Sequence, residues 1–250
     1  MKRGCMSKLL AGAAILGILL LLALVFKSAP PKGQTGPEAD LLAQKMMAAV
    51  DCEAWEATDW VSWSFAGAHH YIWDKKRNLL QAEWGKTKVL LRLDTQQGIA
   101  YKNGSLLNGK KADKACKKAW SYFCNDSFWL NPVCKAFDPG TERYTVDLKT
   151  GGQGVAVTYT SGGVTPGDTY VWELGEDFKP KRWRMWVKII PVGGVPTDWG
   201  AWRKIPGGAW IAGQRKLGPI DLKLDQVNAA VSWEELGLET DPFAPLQSSL

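Results

Sequence analysis

The sequence lacks the short motifs that mark many catalytic and metal-binding sites. It contains no G-x-S-x-G elbow, no P-loop, no H-E-x-x-H pair and no EF-hand loop. Its only two histidines, His69 and His70, are adjacent on a predicted strand and therefore point to opposite faces. They cannot chelate one metal ion together without a bulge. We expect no enzyme activity, no metal site and no cofactor.

Two polar features remain open to a functional interpretation. One of the two histidines could act as a lone base, but a surface or hydrogen-bonded histidine is the commoner outcome on such a strand. Asn125 and Asp126 stand where a helix is expected to end. They could form a polar pair at the mouth of a cavity. We favour a helix stop, in which the Asp126 side chain accepts hydrogen bonds from backbone N–H groups.

Long runs of one charge are also absent. The chain has 31 Lys and Arg against 25 Asp and Glu, which gives a net charge of +6. No run of five or six cations occurs. This pattern indicates a basic exterior that is weakly attracted to anionic surfaces, and it lacks the clustered cations of a nucleic-acid footprint. We therefore expect no nucleic-acid partner.

One long apolar run lies at the N-terminus. Residues 1–8 carry three cations, and the eighteen residues 9–26 carry no charge. As a helix they span about 27 Å, close to the roughly 30 Å of a bilayer's hydrocarbon. The run exceeds the 7–15 residues typical of a cleaved signal, and no A-x-A site follows it. We expect 9–26 to be a retained signal-anchor in the inner membrane, with 1–8 cytoplasmic and the rest periplasmic. Late cleavage is the alternative.

The exported part contains four cysteines and no C-x-x-C pair, so disulfides are favoured over a metal site. Cys116 and Cys124 belong to one predicted helix, where eight residues separate them by about 12 Å. Bonded cysteines have Cα atoms within about 7 Å. Of the remaining pairings we favour Cys124 with Cys134, which leaves Cys52 to join Cys116.

The chain divides by composition into a tether, a folded domain and an extension. Residues 27–37 form a Pro/Gly linker, 38–230 the domain and 231–250 a C-terminal extension. A helix is predicted from about residue 38 to residue 57, and a second helix over 112–123. The rest of the domain is predicted to form ten or eleven short strands at hairpin spacing, each with alternating apolar and polar residues.

The stretch KRWRMWVKII (residues 181–190) shows the strand pattern clearly. One phase of this strand is wholly apolar: Trp183, Met185, Val187 and Ile189. The other phase places Trp186 between Arg184 and Lys188, where the indole can pack flat beneath the two cationic stems.

This pattern predicts an α+β fold. Strands with one polar face indicate an antiparallel sheet, and a sheet of this size must curve. The two helices need a surface on which to bury their apolar stripes, and the concave side of the sheet is the only large candidate. We therefore expect a large curved sheet, an unclosed half-barrel, with two helices on its concave side and one transmembrane helix before it.

Four segments carry a resemblance to a known family. They are WVSWSFAGAHHYIWD (60–74), NDSFWLNP (125–132), GGVTPGDTYVWEL (162–174) and RMWVKIIPVGG (184–194). The region 45–225 resembles a family of exported bacterial proteins of uncharacterised function, which is similar in turn to the LolA/LolB-like lipoprotein-localisation carriers. The resemblance implies an unclosed antiparallel barrel whose apolar concavity is lidded by helices and accepts acyl chains. This chain differs by having an anchor and no lipid-modified cysteine after the signal.

The fourteen tryptophans allow three interpretations. They can line a pocket for an acyl chain, stack on sugar rings at an exposed surface, or simply fill a large core. Most lie on the apolar phase of their strand, which favours the interior over display. The sequence does not show whether these tryptophans fill a core or line a cavity.

We therefore predict a domain that binds a lipid, a lipidated protein or another hydrophobic ligand in an apolar concavity. The alternative is an interaction or assembly module of the cell envelope without a small-molecule ligand. The residues predicted to line the concavity are Val61, Trp63, Phe65, Val89, Leu91, Leu93, Trp120, Phe123, Trp183, Met185 and Val187.

Overall fold

The computed structural model describes residues 28–190 and 192–247, which form a mostly antiparallel protein with few helices. Its fourteen strands lie in two seven-stranded sheets, and neither sheet closes on itself. The predicted class, an unclosed antiparallel structure with helices, is confirmed. The prediction of one sheet with ten or eleven strands is wrong, because short strands extend the edges and the meander divides in two.

The first sheet is a meander of six strands with the last strand of the chain added at one edge. In spatial order its strands are β14 (Leu224–Ala230), β1 (Trp60–Phe65), β2 (His69–Asp74), β3 (Leu79–Trp84), β4 (Thr87–Arg92), β5 (Gly98–Lys102) and β6 (Ser105–Leu106). Asn103 and Gly104 connect β5 to β6 with φ angles of 51° and 78°. Two positive φ angles are the geometry that an Asn-Gly hairpin turn predicts.

The second sheet is a simple meander in which each strand pairs with its neighbour in the chain. Its strands are β7 (Thr141–Asp147), β8 (Gln153–Tyr159), β9 (Asp168–Leu174), β10 (Pro180–Trp186), β11 (Val195–Lys204), β12 (Trp210–Leu217) and β13 (Ile220–Asp221).

The helices differ in extent from the predicted ones. They are α1 (Pro37–Ala49), α2 (Cys52–Glu56), α3 (Lys110–Leu130), a 3-10 helix (Val133–Lys135) and α4 (Ala244–Gln247). The predicted helix over 38–57 is interrupted at Asp51, whose φ of 56° breaks the helical path. The second predicted helix continues seven residues beyond Phe123, so Asn125 and Asp126 do not stop it.

One apolar cluster occupies the space between the sheets and the helices. It takes Met46 from α1, Phe123 from α3, and the inner phase of both sheets, such as Leu91 and Trp183. Helix α1 packs on β7 and β8, and α3 packs on β4 and β5. The apolar side of each strand and the apolar stripe of each helix therefore face the same interior.

Both flanking segments lie against the sheets. Gln34 in the predicted linker pairs with Thr145 of β7 through two backbone hydrogen bonds of 3.1 and 2.9 Å. In the C-terminal extension, Phe243 is fully buried on the outer face of the first sheet, in contact with Trp60. Arg77 binds Asp241 there through two side-chain hydrogen bonds.

The predicted cytoplasmic residues 1–8 and the predicted signal-anchor 9–26 lie outside the described residues. Among the residues that are described, no helix combines the length and the apolar character needed to cross a membrane.

Candidate functional site

A cavity of about 250 Å³ opens where α2, β2, the C-terminal end of α3 and the 3-10 helix meet. Its lining combines aromatic rings with charged and hydrogen-bonding groups, which is the mixture found in small-ligand sites. The lining residues are Trp55, Glu56, Trp73, Lys75, Ser127, Asn131, Cys134, Lys135 and Asp138.

Local sequence signals shape two walls of this cavity. On one side, the Asp51 carboxylate accepts a hydrogen bond of 3.1 Å from the backbone N–H of Ala54 and so begins α2. On the other side, Asn131 has φ −149° and ψ 72°, a non-helical conformation, and the following Pro132 disfavours the helical one. Helix α3 therefore ends at Leu130, and the chain turns into the 3-10 helix that faces α2.

A disulfide joins the two walls. Cys52 of α2 and Cys134 of the 3-10 helix are bonded, with Cα atoms 5.3 Å apart. The predicted pairings of Cys124 with Cys134 and of Cys52 with Cys116 are therefore wrong. The reason is the length of α3: Cys124 lies within the helix, whereas Cys134 lies beyond its end and beside α2.

The two remaining cysteines of the described residues are unpaired thiols on α3. Burial raises the pKa of Cys124 to about 11, although the charge of Lys135 opposes the shift. Burial also raises the pKa of Cys116. Both groups are therefore neutral and unreactive at physiological pH.

Lys75 is the central charged group of the cavity. Its Nζ lies 4.7 Å from the ring centroid of Trp55 and 5.9 Å from that of Trp73, and it donates a hydrogen bond to the Trp55 carbonyl. Burial lowers the pKa of Lys75, the Glu56 carboxylate 3.7 Å away raises it, and the positive charge of Lys135 lowers it. The cavity thus holds a partly desolvated cation with a second cation nearby.

The indole N–H of Trp73 is buried and has no acceptor among the described residues. Trp63, one ring further inside and 6.5 Å from Trp73 between centroids, has an unpartnered N–H as well. Trp183 and Trp199 share this feature but do not line the cavity. A buried donor without a partner costs about 1–3 kcal/mol, so an acceptor oxygen that reached the Trp73 N–H would remove that cost.

All eleven residues predicted to line an apolar concavity lie in the large cluster between the sheets. Phe65 and Trp120 are half-buried at its margin, and the other nine are buried. None of the eleven lines the cavity beside the disulfide. Trp73 connects the two regions, because its ring lies 5.1 Å from that of Phe123 and 6.5 Å from that of Trp63. The interior is packed with side chains, and the cavity opens beside it.

A buried carboxylate links α3 to β2. Asp126 is 1 % exposed, and its Oδ2 accepts hydrogen bonds of 2.7 Å from the Tyr71 hydroxyl and, in the appropriate tautomer, from His69 Nδ1. Asn125 Nδ2 donates to its other oxygen at 2.8 Å. The predicted helix stop is therefore wrong, since Asp126 binds side chains from within a helix. Burial raises the pKa of Tyr71, and the charge of Asp126 adds to the rise.

The two histidines lie on opposite faces of β2, as the strand period predicts. His69 stacks on Tyr122 at 4.0 Å between ring centroids, and its side chain is 18 % exposed. His70 is exposed. His69 is thus a hydrogen-bonded histidine, which is the interpretation that the sequence favoured. Within the described ranges, no group of three or more His, Cys, Asp or Glu side chains could hold a metal ion.

The sequence did not single out Trp55, Trp73, Lys75 or Lys135. The strand HHYIWD offers a signal for one of them, because Trp73 shares the phase of Tyr71 and His69. Lys75 follows the end of that strand, where no periodicity constrains the direction of a side chain.

A larger cavity of about 470 Å³ lies on the outer side of the first sheet. It is an open groove between the β3–β4 hairpin, the β5–β6 turn and the C-terminal segment. Its lining is Glu83, Gly85, Lys86, Thr87, Lys88, Leu90, Tyr101, Gly104, Pro242 and Pro245. No buried unpartnered donor of the described part of the chain lines it. No protein-family model and no curated protein matches this chain.

Proposed function

We propose that the chain is a membrane-tethered, periplasm-facing domain that binds a lipid or another amphipathic ligand, with the ligand's anionic head group in the cavity beside the Cys52–Cys134 disulfide. Trp73 carries the proposal. One face of this residue lies near the ammonium of Lys75, its buried N–H has no acceptor among the described residues, and its ring contacts the apolar interior. We propose no catalytic step.

The two lysines of the lining support an anionic head group, and two carboxylates, Glu56 and Asp138, share the lining with them. Lys75 and Lys135 supply two cations, and their present partners are Glu56 at 3.7 Å and Asp138 at 3.3 Å. The Glu56 side chain is 68 % exposed, so water screens its attraction to Lys75. A carboxylate or phosphate held inside the cavity can therefore replace Glu56 at little expense.

The volume of the cavity supports placing only the head group there, and not the whole ligand. Small-molecule sites usually measure about 300–1,000 Å³, and this one measures about 250 Å³. An acyl chain must therefore pass Trp73 and Phe123 into the aromatic interior. Trp73 and Trp120 are half-buried at the margin, so their rings can turn with a smaller loss of packing than the fully buried Trp183. Apolar area of the ligand offsets that loss at about 25 cal/mol/Å².

The predicted anchor and the resemblance support the same proposal. A signal-anchor over 9–26 keeps the domain next to the bilayer, which is the source of lipids and lipidated proteins. The segments quoted above resemble an uncharacterised family that is similar in turn to the LolA/LolB-like carriers, and those carriers combine an unclosed antiparallel sheet with helices over an acyl-binding interior. We propose that this chain uses the same architecture without leaving its membrane.

The second candidate is a protein-interaction or assembly module at the cell envelope. The open groove of about 470 Å³ favours it, because Pro242, Pro245, Tyr101 and two lysines line a surface that a peptide could follow. In that function the cavity beside the disulfide would have no small-molecule ligand.

Photolabelling distinguishes these functions. The full chain in nanodiscs is irradiated with a diazirine-bearing fatty acid, and the labelled peptides are mapped by mass spectrometry. We expect adducts on the α2, β2 and α3 peptides that contain Trp55, Trp73 and Phe123. The variant Lys75→Met/Lys135→Met should lose them, and the matched control Lys86→Met/Lys88→Met in the outer groove should keep them. Labelling confined to other surfaces, in a chain with an unchanged thermal midpoint, contradicts the proposal.

A further inference from the structure

Ile189 is the large hydrophobic residue with the greatest exposure recorded in the described part of the chain, at 73 %. The alternation of Trp183, Met185 and Val187 predicts that Ile189 faces the interior. Strand β10 instead ends at Trp186, and residue 189 lies in the connection to β11. A single exposed apolar residue is ordinary on a protein surface. Whether Ile189 belongs to a contact surface therefore depends on the residues around it.

The described chain begins directly beside this connection. Trp186 Nε1 donates a hydrogen bond of 3.3 Å to the Ser28 hydroxyl. A Cβ added to Gly193 would lie 2.3 Å from the Ser28 carbonyl oxygen and 2.5 Å from Trp186 Cδ1. Ser28, Trp186 and Gly193 are therefore in close contact, and Gln34 holds the following residues on the edge of the same sheet. The segment that leaves the domain is fixed at this end of the second sheet.

The neighbouring β8–β9 connection belongs to the same end of the sheet. The Lys188 backbone N–H donates a 2.9 Å hydrogen bond to Asp168 Oδ1, and a Cβ on Gly167 would lie 3.3 Å from Lys188 Cε. Val164 in that connection is 51 % exposed. Ser28 contacts Trp186, Lys188 contacts the β8–β9 connection, and the two connections at this end each carry an exposed aliphatic side chain, Val164 and Ile189.

We propose that this end of the second sheet rests on the surface of an anionic membrane. We name it the bilayer-facing end and define it by Val164, Trp186, Lys188 and Ile189. The inference rests on the proposed anchor: the predicted span ends at residue 26, and two residues of chain reach at most about 7 Å. Ser28 and its partner Trp186 then lie at the level of the head groups.

The chemistry of the four side chains fits that depth. Tryptophan is enriched at the membrane interface, where one part of the ring is wet and another apolar. The aliphatic side chains of Ile189 and Val164 gain from entering the boundary with the acyl chains. Lys188 is exposed, and a cation is attracted to anionic lipid within a Debye length. The domain would therefore keep a fixed orientation above the bilayer and would not swing freely on its linker.

Site-specific crosslinking to lipid tests the inference. The photoreactive residue p-benzoylphenylalanine is placed at position 189 of the full chain in nanodiscs that contain anionic phosphatidylglycerol. The control has the same residue at position 231. Val231 directly follows β14 of the first sheet and is 63 % exposed. We expect several-fold more lipid adduct at 189 than at 231. In that background Lys188→Gln should reduce the adduct by up to about fivefold, the effect of one cation at an anionic surface. Lys181→Gln, at the opposite end of β10, should not.

Equal lipid adduct at 189 and 231 overturns the inference. If position 189 gives more lipid adduct than position 231 but Lys188→Gln does not reduce it, the claim that Lys188 binds anionic lipid is overturned. Failure of the proposed anchor gives a different result, because carbonate then extracts the protein from membranes. Failure of the proposed ligand binding is also distinguishable, because it removes the fatty-acid adducts of the cavity in the photolabelling experiment and leaves the lipid adduct at position 189 unchanged.

Discussion

The Tyr71 hydroxyl donates a hydrogen bond of 2.7 Å to the carboxylate of Asp126, across 55 residues of sequence. This bond fixes the C-terminal half of α3 against β2. The next residue of α3, Ser127, and the next inner residue of β2, Trp73, both line the cavity beside the disulfide. The buried carboxylate is therefore a positioning element for the proposed ligand site.

Removing that carboxylate should destabilise the protein. We expect Asp126→Ala to lower the free energy of unfolding by about 2–3 kcal/mol, because the Tyr71 hydroxyl loses its acceptor in a buried place. That loss corresponds to a fall of about 4–12 °C in the thermal midpoint for a domain of this size. The measurement is thermal unfolding of the full chain in detergent. Asp113→Ala, which removes an exposed carboxylate of the same helix, is the matched control, and an unchanged midpoint in Asp126→Ala would refute the structural role.

Of the four cysteines in the described part of the chain, one pair should form a disulfide and Cys116 and Cys124 should remain thiols. In denatured, unreduced protein, alkylation should modify Cys116 and Cys124 but reach Cys52 and Cys134 only after reduction. Cys52→Ala/Cys134→Ala should lower the free energy of unfolding by about 2–4 kcal/mol, whereas Cys124→Ala should change it little. Protection of Cys116 and Cys124 before reduction would show that the bonding pattern differs.

Arg215 should be essential for the end of α3. Its side chain is fully buried and donates hydrogen bonds to the carbonyls of Trp129, Leu130 and Ala212. Burial lowers its pKa to about 9, with a smaller effect of Arg203, so it remains cationic at neutral pH. Arg215→Met leaves these carbonyls without their donor and should lower the free energy of unfolding by about 3 kcal/mol. The exposed Arg203→Met is the control, and equal midpoints for the two variants would contradict this role.

The C-terminal segment should detach from the first sheet in acid. Hydrogen bonds from Arg77 lower the pKa of Asp241 below its ordinary value, although partial burial opposes them. A lowered folded-state pKa adds stability above the unfolded pKa of about 3.9, and this stability is lost as the pH falls through the folded pKa. Asp241→Asn should therefore reduce the thermal midpoint at pH 7, and its difference from the wild type should disappear as the pH falls through the lowered folded-state pKa of Asp241. A difference that does not change with pH would contradict the ion pair; Asp221→Asn is the exposed control.

Much of the interior could be predicted because strand alternation is a local property. The phases of Val61 with Trp63, of Val89 with Leu91 and of Trp183 with Met185 follow from the sequence, and these residues are all buried in one cluster. The pairing of the strands is a different matter. No local signal indicates that β14 returns to β1 or that the meander divides into two sheets.

The sequence did not predict the cavity, because the position of the cavity depends on where α3 ends. Asn125-Asp126 is a turn-forming pair by local preference, yet Tyr71 and His69 satisfy Asp126 inside the helix. That tertiary contact moves the end of the helix to Leu130 and carries Cys134 to Cys52. The disulfide pattern and the position of Lys135 then follow from a contact across more than fifty residues, which local sequence does not encode.

Trp73 should contribute to ligand affinity through its N–H as well as its ring. Trp73→Phe keeps an aromatic ring beside Lys75 and removes only the donor and part of the ring. We expect fatty-acid affinity to fall by about three- to tenfold, the effect of one hydrogen bond. A binding titration with a fluorescent fatty acid measures it. Trp210→Phe, on the second sheet, should bind as the wild type does, and equal affinities of all three proteins would exclude Trp73 from the site.

Native mass spectrometry of the full chain released from nanodiscs tests ligand binding most directly. The proposed function predicts that the wild type and Lys86→Met/Lys88→Met retain one lipid or fatty acid per chain, and that Lys75→Met/Lys135→Met appears at its bare mass. A wild-type chain that is folded, has been incubated with excess fatty acid and still appears only at its bare mass would contradict ligand binding in the cavity.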